Sequence, residues 1–546
     1  MQLADELKLF LRGDVLADDV TLTTYSHDAS LFEVKPQVVV RPKDTEDVKN
    51  IVRFVSQKKK TNPGLSLTAR AAGTDMTGGP LTESIVLDFS KYFNHLGEVS
   101  KEGEINTEPG VYYRDFEKAT LAKNFIFPSY PASKGLCAMG GIVNNNSGGE
   151  RSLVYGKTEQ YVTELKMILR DGKEYTFRKF SKKELQAKMR LRTVEGEIYR
   201  KLFKLVDSNY DLIKSAKPGV SKNSAGLNIW DIWDKKYFNP VKLFVGAQGT
   251  LGLMTEAKIQ LVKTKSHSGM LVVFLKDLHS VAKLVQEVLP FKPTSFESFD
   301  DHTLRLALRF LPGFLKLLGA KNLLSLGLKF LPDFWLILTQ GMPKLILLVE
   351  FEGDNQKEVD TKIETLYKKL AHFGIKMRIA RTTEEAAKYW AIRRESFNLL
   401  RNKVRDKRTA PFIDDVIVEP QYLPEFLPQL YAILDRYQLL YTIAGHVGNG
   451  NFHVIPLMDL MQESERAKIP KAAEEVYNLT LKFGGSLSAE HNDGLIRGPY
   501  LEAMYGEKVM KIFREIKKIF DPQDIFNPGK KMEANLKYAL AHIKHG

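Results

Sequence analysis

Short apolar runs alternate with amphipathic segments in the first hundred residues of the chain. The runs 37–42, 66–70 and 84–88 are apolar and bounded by turn-forming residues, so each is predicted to be a strand. A helix is predicted from Asp44 through residue 59, because acidic residues fill its first turn, where the helix dipole favours them. This alternation is typical of an α+β or α/β fold.

A second alternation begins near residue 262. Apolar runs at 270–275 and 345–351 are predicted strands, and a predicted helix follows each of them, at 277–289 and 355–373. The chain has 546 residues, more than one ordinary domain of roughly 100–200 residues. We predict three parts: a first domain at 1–262, a second domain at 263–515 and a C-terminal segment at 516–546.

The composition is that of a folded protein with a large core, since 43% of the residues are hydrophobic and 27% are charged. Cys137 is the one cysteine, which excludes a disulfide framework and a cysteine-ligated iron–sulfur cluster within this sequence. Residues 1–15 carry acids and lack the apolar core and cleavage site of a signal peptide. These features predict a cytoplasmic protein.

Residues 304–338 are mostly leucine and phenylalanine, with basic residues spaced along them. Because no stretch of about 18 residues is free of charge, this segment is not expected to span a bilayer. Apolar bulk with interspersed cations is typical of helices that lie in an anionic membrane surface. The alternative is a buried helical hairpin of the second domain, in which regularly spaced cations would be costly. We expect peripheral contact with the inner face of the membrane.

The net charge supports an anionic partner. Lysine and arginine number 80 and aspartate and glutamate 66, which leaves a formal charge of +14. Such an excess favours nucleic acid, a membrane surface or an acidic substrate. No zinc finger, RNA-binding aromatic signature or clear helix-turn-helix accompanies the charge, so nucleic acid is not expected.

Three glycine-rich segments interrupt the first domain, at 70–79, 139–149 and 246–252. Glycines allow the backbone to approach a ligand closely, and successive N–H groups in such turns can hold phosphate oxygens. The ten residues 140–149 include four glycines and three asparagines, a composition that predicts neither helix nor strand. The first segment matches neither a Walker loop nor a Rossmann fingerprint, and a plain structural turn is the alternative.

In this order and spacing, the three segments resemble the vanillyl-alcohol-oxidase type, or PCMH-type, FAD-binding domain, over residues 20–262. The resemblance implies that the first segment holds the pyrophosphate, the second passes along the flavin and ribityl chain, and the third closes near the adenine. Relatives that bind FAD covalently often use a histidine in or near the first segment, and residues 66–80 contain none, so noncovalent FAD is expected. Gln248 stands where relatives commonly carry glutamate. The implied cofactor-binding residues are Arg70, Ala72, Gly73, Thr74, Asp75, Thr77, Gly78, Pro131, Gly140, Gly141, Asn146, Gly148, Gly149, Gly249 and Gly252.

Two histidines of the second domain, His446 and His453, follow the apolar run 440–444, and glycines lie between them. Their odd spacing places them on opposite faces of a straight strand, but the glycines allow a bend that brings both rings to one point. Further on, the adjacent Glu490 and His491 would face different groups in an extended segment. Two histidines with one carboxylate form a frequent catalytic zinc set, which also serves iron and manganese. The alternative is loop histidines that cap backbone groups.

Both segments resemble the C-terminal half of the FAD-linked D-2-hydroxyacid dehydrogenases, which include D-lactate, glycolate and D-2-hydroxyglutarate enzymes. The resemblance implies that His446, His453 and Glu490 bind a divalent metal, usually zinc, and that His491 is the base beside the flavin. It also implies that Arg393 binds the substrate carboxylate, with a solvated helix charge as the alternative. The likeness extends over nearly the whole chain and includes the segments 297–300, 345–352, 390–394 and 505–530.

The implied fold is α+β, with a two-part PCMH-type FAD-binding domain, a ferredoxin-like substrate (cap) domain and a C-terminal helical return to the first domain. The implied reaction is the oxidation of a small D-2-hydroxy acid, similar to D-lactate, to the 2-oxo acid, with hydride transfer to flavin N5. The metal would bind the hydroxyl and carboxylate oxygens of the substrate, and His491 would accept the hydroxyl proton.

Several positions depart from the family pattern and bear on the substrate. Asn449 stands in place of the usual aspartate, and Asn492 in place of the usual glycine. Phe397 and Ile413 stand where the D-2-hydroxyglutarate enzymes have a substrate-binding threonine and lysine, and Ile455 replaces their asparagine. A long dicarboxylate is therefore not expected, and a more apolar hydroxy acid is favoured.

Residues 489–501 and 520–531 most resemble the branch of this family that is fused to a C-terminal iron–sulfur domain. Electrons are therefore expected to pass to quinone or to a separate iron–sulfur or electron-transfer protein. Two alternative functions remain at this point. One is a non-redox transfer like that of alkylglycerone-phosphate synthase, and the other is a flavin-binding, membrane-associated protein whose catalytic site has eroded at Asn449 and Asn492.

Overall fold

The computed structural model describes residues 2–309, 341–382, 385–394 and 407–545. Helices and sheets are mixed throughout these residues, which confirms the predicted α+β class. Two four-stranded sheets lie in the N-terminal half, and one larger antiparallel sheet lies in the C-terminal half. The predicted bounds of the domains, at 262/263 and 515/516, stay a prediction.

The first sheet contains the three strands predicted for the start of the chain. The central strand Ile85–Asp88 runs parallel to both of its neighbours, and the outer strand Asp14–Leu16 is antiparallel. The predicted helix lies next to this sheet at Thr45–Lys58, and its buried apolar residues belong to the same core. The strands lie in the order Asp14–Leu16, Val38–Arg41, Ile85–Asp88 and Leu67–Arg70.

The second sheet is antiparallel, and helices surround it. Its strands lie in the order Glu104–Thr107, Leu253–Gln260, Val162–Ile168 and Glu174–Arg178. Two short strand pairs complete this region: Phe125–Ile126 with Val262–Lys263, and Phe180–Ser181 with Tyr237–Phe238. The helices of the N-terminal half, besides Thr45–Lys58, are Leu3–Lys8, Asp19–Tyr25, Tyr113–Leu121, Met139–Asn145, Ser152–Tyr155, Lys182–Met189, Val194–Ser208, Tyr210–Ser215 and Val241–Phe244.

The helix Met139–Asn145 corrects the prediction that the glycine- and asparagine-rich segment forms neither helix nor strand. Tertiary packing overrides the poor helix propensity of these residues. Ile142 and Val143 are buried in the core of this half. The helix ends at Asn146, whose φ of 53° is left-handed, a conformation that asparagine tolerates better than most residues.

Strands in the middle of the C-terminal sheet are buried on both faces. Leu271 and Val273 contact one core, and Met270 and Val272 contact another, because successive side chains on a strand point to opposite faces. This explains why the predicted strand 270–275 is apolar throughout. The order is Lys376–Ala380, His267–Leu275, Leu345–Gly353, Ser295–Asp300, Leu440–His446, Asn451–Met458 and Arg408–Thr409, and Val416–Ile417 also pairs with Asn451–Met458.

Helices cover both faces of this sheet. The two helices predicted here are present, at Val281–Val288 and Gln356–Leu370. The helix 385–394 packs on the opposite face, where Tyr389 and Trp390 are buried beside Phe274. Among the described residues of this half, the other long helices are Asp301–Arg309, Leu423–Arg436, Lys468–Lys482 and Leu501–Phe520, and the short ones are Glu463–Arg466 and Leu536–Ala541.

The C-terminal residues return to the first sheet, as the implied helical return requires. The helix Leu501–Phe520 is interrupted at Gly506, whose φ of 73° is not helical, so its longer regular part is 507–520. Beyond it, the N–H of Leu67 donates to the carbonyl of Ile525 at 2.8 Å, and the N–H of Asn527 donates to the carbonyl of Leu67 at 2.9 Å. The chain thereby extends the edge of the first sheet.

Within the described ranges, no helix combines the length and the apolar character needed to cross a bilayer. The basic, apolar run 304–338 begins in the helix Asp301–Arg309, and its residues 310–338 lie outside the described residues. Its contact with a membrane surface stays a prediction.

Candidate active site

A cavity of about 610 Å³ lies between the glycine-rich segments of the N-terminal half and the histidines of the C-terminal sheet. This volume is typical of sites for cofactors and small molecules. Thr77, Gly78, Asn146 and Gly149 do not contribute to its lining. The implied cofactor-binding residues that do line it are Arg70, Ala72, Gly73, Thr74, Asp75, Pro131, Gly140, Gly141, Gly148, Gly249 and Gly252.

Two carboxylates, those of Asp28 and Asp75, fix the backbone of the first glycine-rich segment. Asp75 accepts hydrogen bonds from the N–H groups of Thr77 at 3.0 Å and Gly79 at 2.8 Å, and Asp28 accepts one from the N–H of Gly78 at 3.0 Å. Burial and the neighbouring Asp75 raise the pKa of the Asp28 carboxyl to about 7. Thr77 and Gly78 therefore hold the turn, because their N–H groups are engaged by side chains rather than presented to a ligand.

Glycines leave space for a ligand at the second and third segments. A Cβ atom added at Gly141 would meet no protein atom within 4 Å, and one at Gly249 would meet Ala69 Cβ at 3.8 Å. Gly140 differs, since a Cβ there would lie 2.7 Å from Pro109 Cβ, so this glycine serves the packing of its helix. The open backbone beside the cavity forms a cradle that suits a large ligand such as FAD.

A β-hairpin brings the two predicted histidines together. Leu440–His446 pairs with Asn451–Met458 so that Ala444 lies opposite His453 and His446 lies opposite Asn451. Both imidazoles therefore project from the same face of the hairpin, and their Nε2 atoms lie 3.3 Å apart. The chain reverses direction completely between them, which is more than the bend that the sequence suggested.

Glu490 supplies a third donor atom at the same point. Its Oε1 lies 3.3 Å from Nε2 of His446, and the donor atoms of His446, His453 and Glu490 all lie within 4.8 Å of one another. Ligands about 2.0–2.1 Å from a tetrahedral zinc ion are about 3.3–3.4 Å apart. Two of the three donor spacings, His446 to His453 and His446 to Glu490, therefore match those of zinc ligands.

Buried carboxylates engage the other nitrogen of each of these histidines. Nδ1 of His446 donates to Oε1 of Glu297 at 2.6 Å, and Nδ1 of His453 donates to Oδ1 of Asp414 at 3.1 Å. These bonds assign the N–H to Nδ1 and leave both Nε2 atoms as acceptors. Carboxylate–histidine pairs of this kind orient the ligands of many metal sites.

His491 shares the same carboxylate with His453. Its Nδ1 donates to Oδ2 of Asp414 at 2.5 Å, and its ring stacks on that of His453 with the centroids 4.9 Å apart. Burial alone would lower the pKa of His491, but Asp414 and Asp415 raise it to about 9. In turn, these histidines outweigh the effect of burial on Asp414 and hold the pKa of its carboxyl well below its ordinary value.

Asp415 fixes the backbone that carries Glu490 and His491. Its Oδ2 accepts hydrogen bonds from the N–H of Glu490 at 2.8 Å, the N–H of His491 at 2.7 Å and the hydroxyl of Ser488 at 2.8 Å. Asp415 is buried, and its φ of 71° is left-handed. Successive residues 414 and 415 thus control the side chain of His491 and the backbone beneath it.

Arg393 lies in the cavity wall and is one of the helical residues 385–394. Its Nη2 is 3.2 Å from Oε2 of Glu297, so Glu297 joins the arginine to His446. Nε of Arg393 is buried and has no hydrogen-bond partner among the described residues. A guanidinium with an unused donor beside the cavity suits the carboxylate of a ligand.

Four charged residues at this site were not identified from the sequence: Glu297, Asp414, Asp415 and Lys222. A signal existed for three of them. Glu297 is a charged residue in the buried strand Ser295–Asp300, and Asp414 and Asp415 interrupt a run of buried apolar residues. Nothing in the sequence around Lys222 marks that residue, whose role depends on a contact with Glu490.

The residues that depart from the family pattern occupy different kinds of environment. Asn492 has a left-handed φ of 70°, a conformation that explains why relatives have glycine at this position. Its side-chain amide donates to the carbonyl of Gly246 at 2.8 Å. Asn449 is buried and donates to the hydroxyl of Ser221 at 2.9 Å. Ile455 lines the cavity, whereas Ile413 is buried in the core. Phe397 lies outside the described residues.

Comparisons with known protein families match most of the chain. Residues 36–178 match the FAD binding domain, and residues 264–531 match the C-terminal domain of FAD linked oxidases. A D-2-hydroxyglutarate dehydrogenase of Pseudomonas putida is 28% identical over 95% of this chain and 50% of its own length. The glycolate oxidase subunit GlcD of Bacillus subtilis is 26% identical over 93% of this chain and 91% of its own. The chain thus spans about half the length of the first of these relatives.

Solved structures share the fold at low sequence identity. A 4-ethylphenol oxidase from Gulosibacter chungangensis superimposes with a TM-score of 0.68 at 17% identity and covers 97% of this chain and 96% of its own. p-Cresol methylhydroxylase superimposes with a TM-score of 0.67 at 16% identity, over 98% and 96% of the two chains. These likenesses extend across both halves of the molecule. The chain therefore contains the FAD binding domain and the C-terminal domain of FAD linked oxidases, and it has the fold of p-cresol methylhydroxylase (PCMH).

Proposed function

We propose that this protein oxidises a small D-2-hydroxy acid, similar to D-lactate, to the 2-oxo acid, with FAD and a divalent metal, zinc, as cofactors. The observation that carries the proposal is the convergence of His446, His453 and Glu490 beside His491 in the cavity wall. FAD, when bound, supplies the redox chemistry by accepting a hydride at flavin N5. The metal, when bound by the three residues, supplies the Lewis acidity that lowers the pKa of the substrate hydroxyl.

His491 is the proposed base. Its Nδ1 is engaged by Asp414, so Nε2 is the atom that would accept the hydroxyl proton. A base must be neutral before it accepts a proton, and the pKa of His491 without a metal is about 9. A divalent cation held by the adjacent His453 would lower this pKa, because two positive charges would then lie close together.

Arg393 is proposed to bind the substrate carboxylate. Its buried Nε is unpaired among the described residues, and the side chain lines the cavity. Glu297 holds the guanidinium from behind at 3.2 Å and leaves the rest of the fork for the ligand. A carboxylate bound here would place the neighbouring hydroxyl-bearing carbon near His446, since Glu297 also contacts that histidine.

The substrate side chain is proposed to be short and apolar. Thr442, Ala444 and Ile455 line the cavity on the same hairpin as the two histidines. A methyl group suits such a wall, whereas a second carboxylate would need a charged partner there. The named activities of the relatives, on D-2-hydroxyglutarate, D-lactate and glycolate, span this substrate class.

FAD is proposed to bind without a covalent link through the first glycine-rich segment. Residues 66–80 contain no histidine that could form one. The open backbone at Gly141 and Gly249 and the cavity between the halves support a large noncovalent ligand.

Electrons are proposed to leave the flavin for quinone or for a separate iron–sulfur or electron-transfer protein. The basic, apolar run 304–338 is proposed to hold the protein at the inner face of the membrane, where quinone is available. An anionic leaflet would attract the net charge of +14 as well as the cations of the run.

Anaerobic reduction of the bound flavin tests the proposed oxidation. Purified protein carrying FAD and zinc is mixed without oxygen with D-lactate, glycolate, D-2-hydroxyglutarate and longer apolar D-2-hydroxy acids, and the flavin absorbance is followed. We expect bleaching with D-lactate or another short apolar acid, and none with the L-enantiomers. If no acid in the panel bleaches the flavin while zinc is bound, the dehydrogenase proposal fails and a transferase or a non-catalytic flavoprotein becomes the better description.

Two histidine variants make this experiment specific. His491→Ala should abolish bleaching and leave the flavin content unchanged, because the residue acts on the proton and not on the cofactor. His372→Ala is the matched control, since His372 is an exposed histidine of the same half of the chain, outside the cavity lining. Normal bleaching in His491→Ala would remove His491 as the base.

A further inference from the structure

Lys222 is a buried lysine whose ammonium reaches the proposed metal site from the N-terminal half. Its side chain is 1% exposed, and its Nζ forms an ion pair with Oε1 of Glu490. The same Nζ donates to Oδ1 of Asn451 at 3.1 Å. Lys222 is absent from the cavity lining, so its ammonium reaches Oε1 of Glu490 from the protein interior.

The segment around Lys222 contacts both loops that build the site. Ser221 accepts a hydrogen bond from Asn449, which lies in the hairpin turn. The N–H of Ser224 donates at 2.9 Å to the carbonyl of Ser488, two residues before Glu490. These two hydrogen bonds are neutral. The ammonium of Lys157 donates to the hydroxyl of Ser224 and to the carbonyl of Ala489, whereas the ammonium of Lys222 pairs directly with the carboxylate of Glu490.

The atom that Lys222 contacts is the one that the metal would need. Oε1 of Glu490 lies 3.3 Å from Nε2 of His446 and is the carboxylate oxygen of the converging donor set. Glu490 is only 4% exposed, and a buried carboxylate is costly unless an opposite charge accompanies it. Lys222 supplies that charge when no metal does.

We propose that Lys222 is the built-in counter-cation of Glu490, and that a divalent metal must displace this ion pair to occupy the site. The inference rests on the proposed function, since it assumes that Glu490 is a metal ligand. Two effects then oppose metal binding while Lys222 is present. The metal must disrupt an existing ion pair, and afterwards it must lie close to a buried ammonium, whose repulsion is weakly screened in the interior.

Replacing the lysine by methionine removes both effects at nearly constant side-chain length. Lys222→Met should therefore bind Zn²⁺ about tenfold or more tightly than the wild type, a change that one removed charge at this distance can produce. Its metal-free form should melt at a lower temperature, because Glu490 would be buried without a partner. If Lys222 had a merely structural role, its replacement would have the opposite effect, because a loosened Glu490 would bind Zn²⁺ more weakly.

Calorimetric titration of Zn²⁺ into flavin-loaded, metal-stripped protein at pH 8 measures the affinity. Lys222→Arg keeps the charge and should bind Zn²⁺ as the wild type does. Lys217→Met is the matched control, because Lys217 lies on the same loop and pairs with Asp231 at the surface. His446→Ala gives the background from zinc bound elsewhere, and Lys222→Gln replaces the methionine variant if that protein does not fold.

The outcomes separate this inference from the proposed function. Tighter zinc binding in Lys222→Met or Lys222→Gln, or binding in them when the wild type binds none, supports the counter-cation. Equal or weaker binding than in a zinc-binding wild type overturns it and leaves the metal site standing. Absence of site-specific binding in the wild type and in every variant overturns both.

Discussion

The carboxylate of Asp414 accepts a hydrogen bond from Nδ1 of His491 at 2.5 Å. Its other oxygen accepts one from Nδ1 of His453 at 3.1 Å. One buried carboxylate thus orients the proposed base and a proposed metal ligand together. The two proposed functions of the site thus depend on a residue that does not line the cavity.

Asp414→Asn should slow flavin reduction by the substrate by about 10²–10⁴-fold. The amide keeps the shape of the side chain but removes the charge, and it can present an N–H to His491 and favour the wrong tautomer, as in Ser-His-Asp triads. Stopped-flow absorbance under anaerobic conditions measures the rate. Asp354→Asn is the control, since this aspartate is exposed and far along the chain from the site. A rate within threefold of the wild type would show that Asp414 does not govern the base.

Removal of the metal should stop flavin reduction while the flavin stays bound. The proposed ligands lie on the hairpin and near Glu490, whereas the proposed FAD contacts lie on the glycine-rich segments, so a chelator should affect only the first group. Zinc content by mass spectrometry and the flavin spectrum are measured before and after dialysis against a chelator. Added Zn²⁺ should restore bleaching. Full activity in protein shown to be free of metal would contradict the metal-assisted reaction.

Glu350→Gln should stabilise the protein at pH 8 and leave its stability unchanged at pH 4. Burial, together with Glu150 and Glu352, raises the pKa of Glu350 from 4.5 to about 7. The folded state therefore holds a proton that the unfolded state releases, so the contribution of Glu350 to stability is present below pH 4.5 and is lost as the pH rises through 7. Trp390 donates to Glu350 at 3.2 Å, a bond that glutamine can also accept.

The gain expected at pH 8 is about 1–2 kcal/mol, and it is measured as a higher melting temperature. Glu474→Gln is the matched control, because Glu474 is exposed on the helix Lys468–Lys482 and is not among the buried residues of that helix. An equal effect of both variants, or a gain only at pH 4, would contradict the assignment of the proton to Glu350.

Lys517→Met should destabilise the protein by about 3–5 kcal/mol, the usual effect of breaking a buried ion pair on one side. The side chain of Lys517 is 1% exposed, and its Nζ bonds Asp521 at 2.6 Å and the carbonyls of Phe526 at 2.8 Å and Thr250 at 3.0 Å. The variant leaves all three acceptors without this donor. Calorimetry should show a lower melting temperature for this variant. Lys518→Met, which changes the exposed neighbouring lysine, should leave the melting temperature almost unchanged. Similar melting temperatures for the two variants would remove Lys517 as an anchor of the C-terminal return.

Charge reversal in the run 304–338 should release the protein from anionic membranes. A variant with Lys316, Lys321 and Lys329 all changed to glutamate removes the attraction of about 1 kcal/mol per cation and adds repulsion. Flotation with vesicles of anionic phospholipid, compared with neutral vesicles, measures the binding. Flavin reduction by the substrate in solution should be unaffected, which serves as the control for folding. Equal flotation of variant and wild type would favour the buried hairpin.

Local patterns were enough to predict several of the strands and helices of the cores. The strand Val38–Arg41 and the helix Thr45–Lys58 follow from a short apolar run and from acids in a first helical turn. The helix Met139–Asn145 was missed because its glycines and asparagines have poor helix propensity. Its stability comes from tertiary contacts such as that of Gly140 with Pro109, a residue outside the local segment.

The sequence by itself determined the family, the sets of glycines and the identities of His446, His453, Glu490 and His491, because these are matters of residue type and spacing. Only the tertiary structure decided how they are held. The carboxylate that orients His491 lies 77 residues away, at Asp414, and the ammonium on Glu490 lies 268 residues away, at Lys222. A buried charge needs a partner in space rather than in sequence. The apolar run around Asp414 marks that residue as unusual, but packing alone decides which group it pairs with.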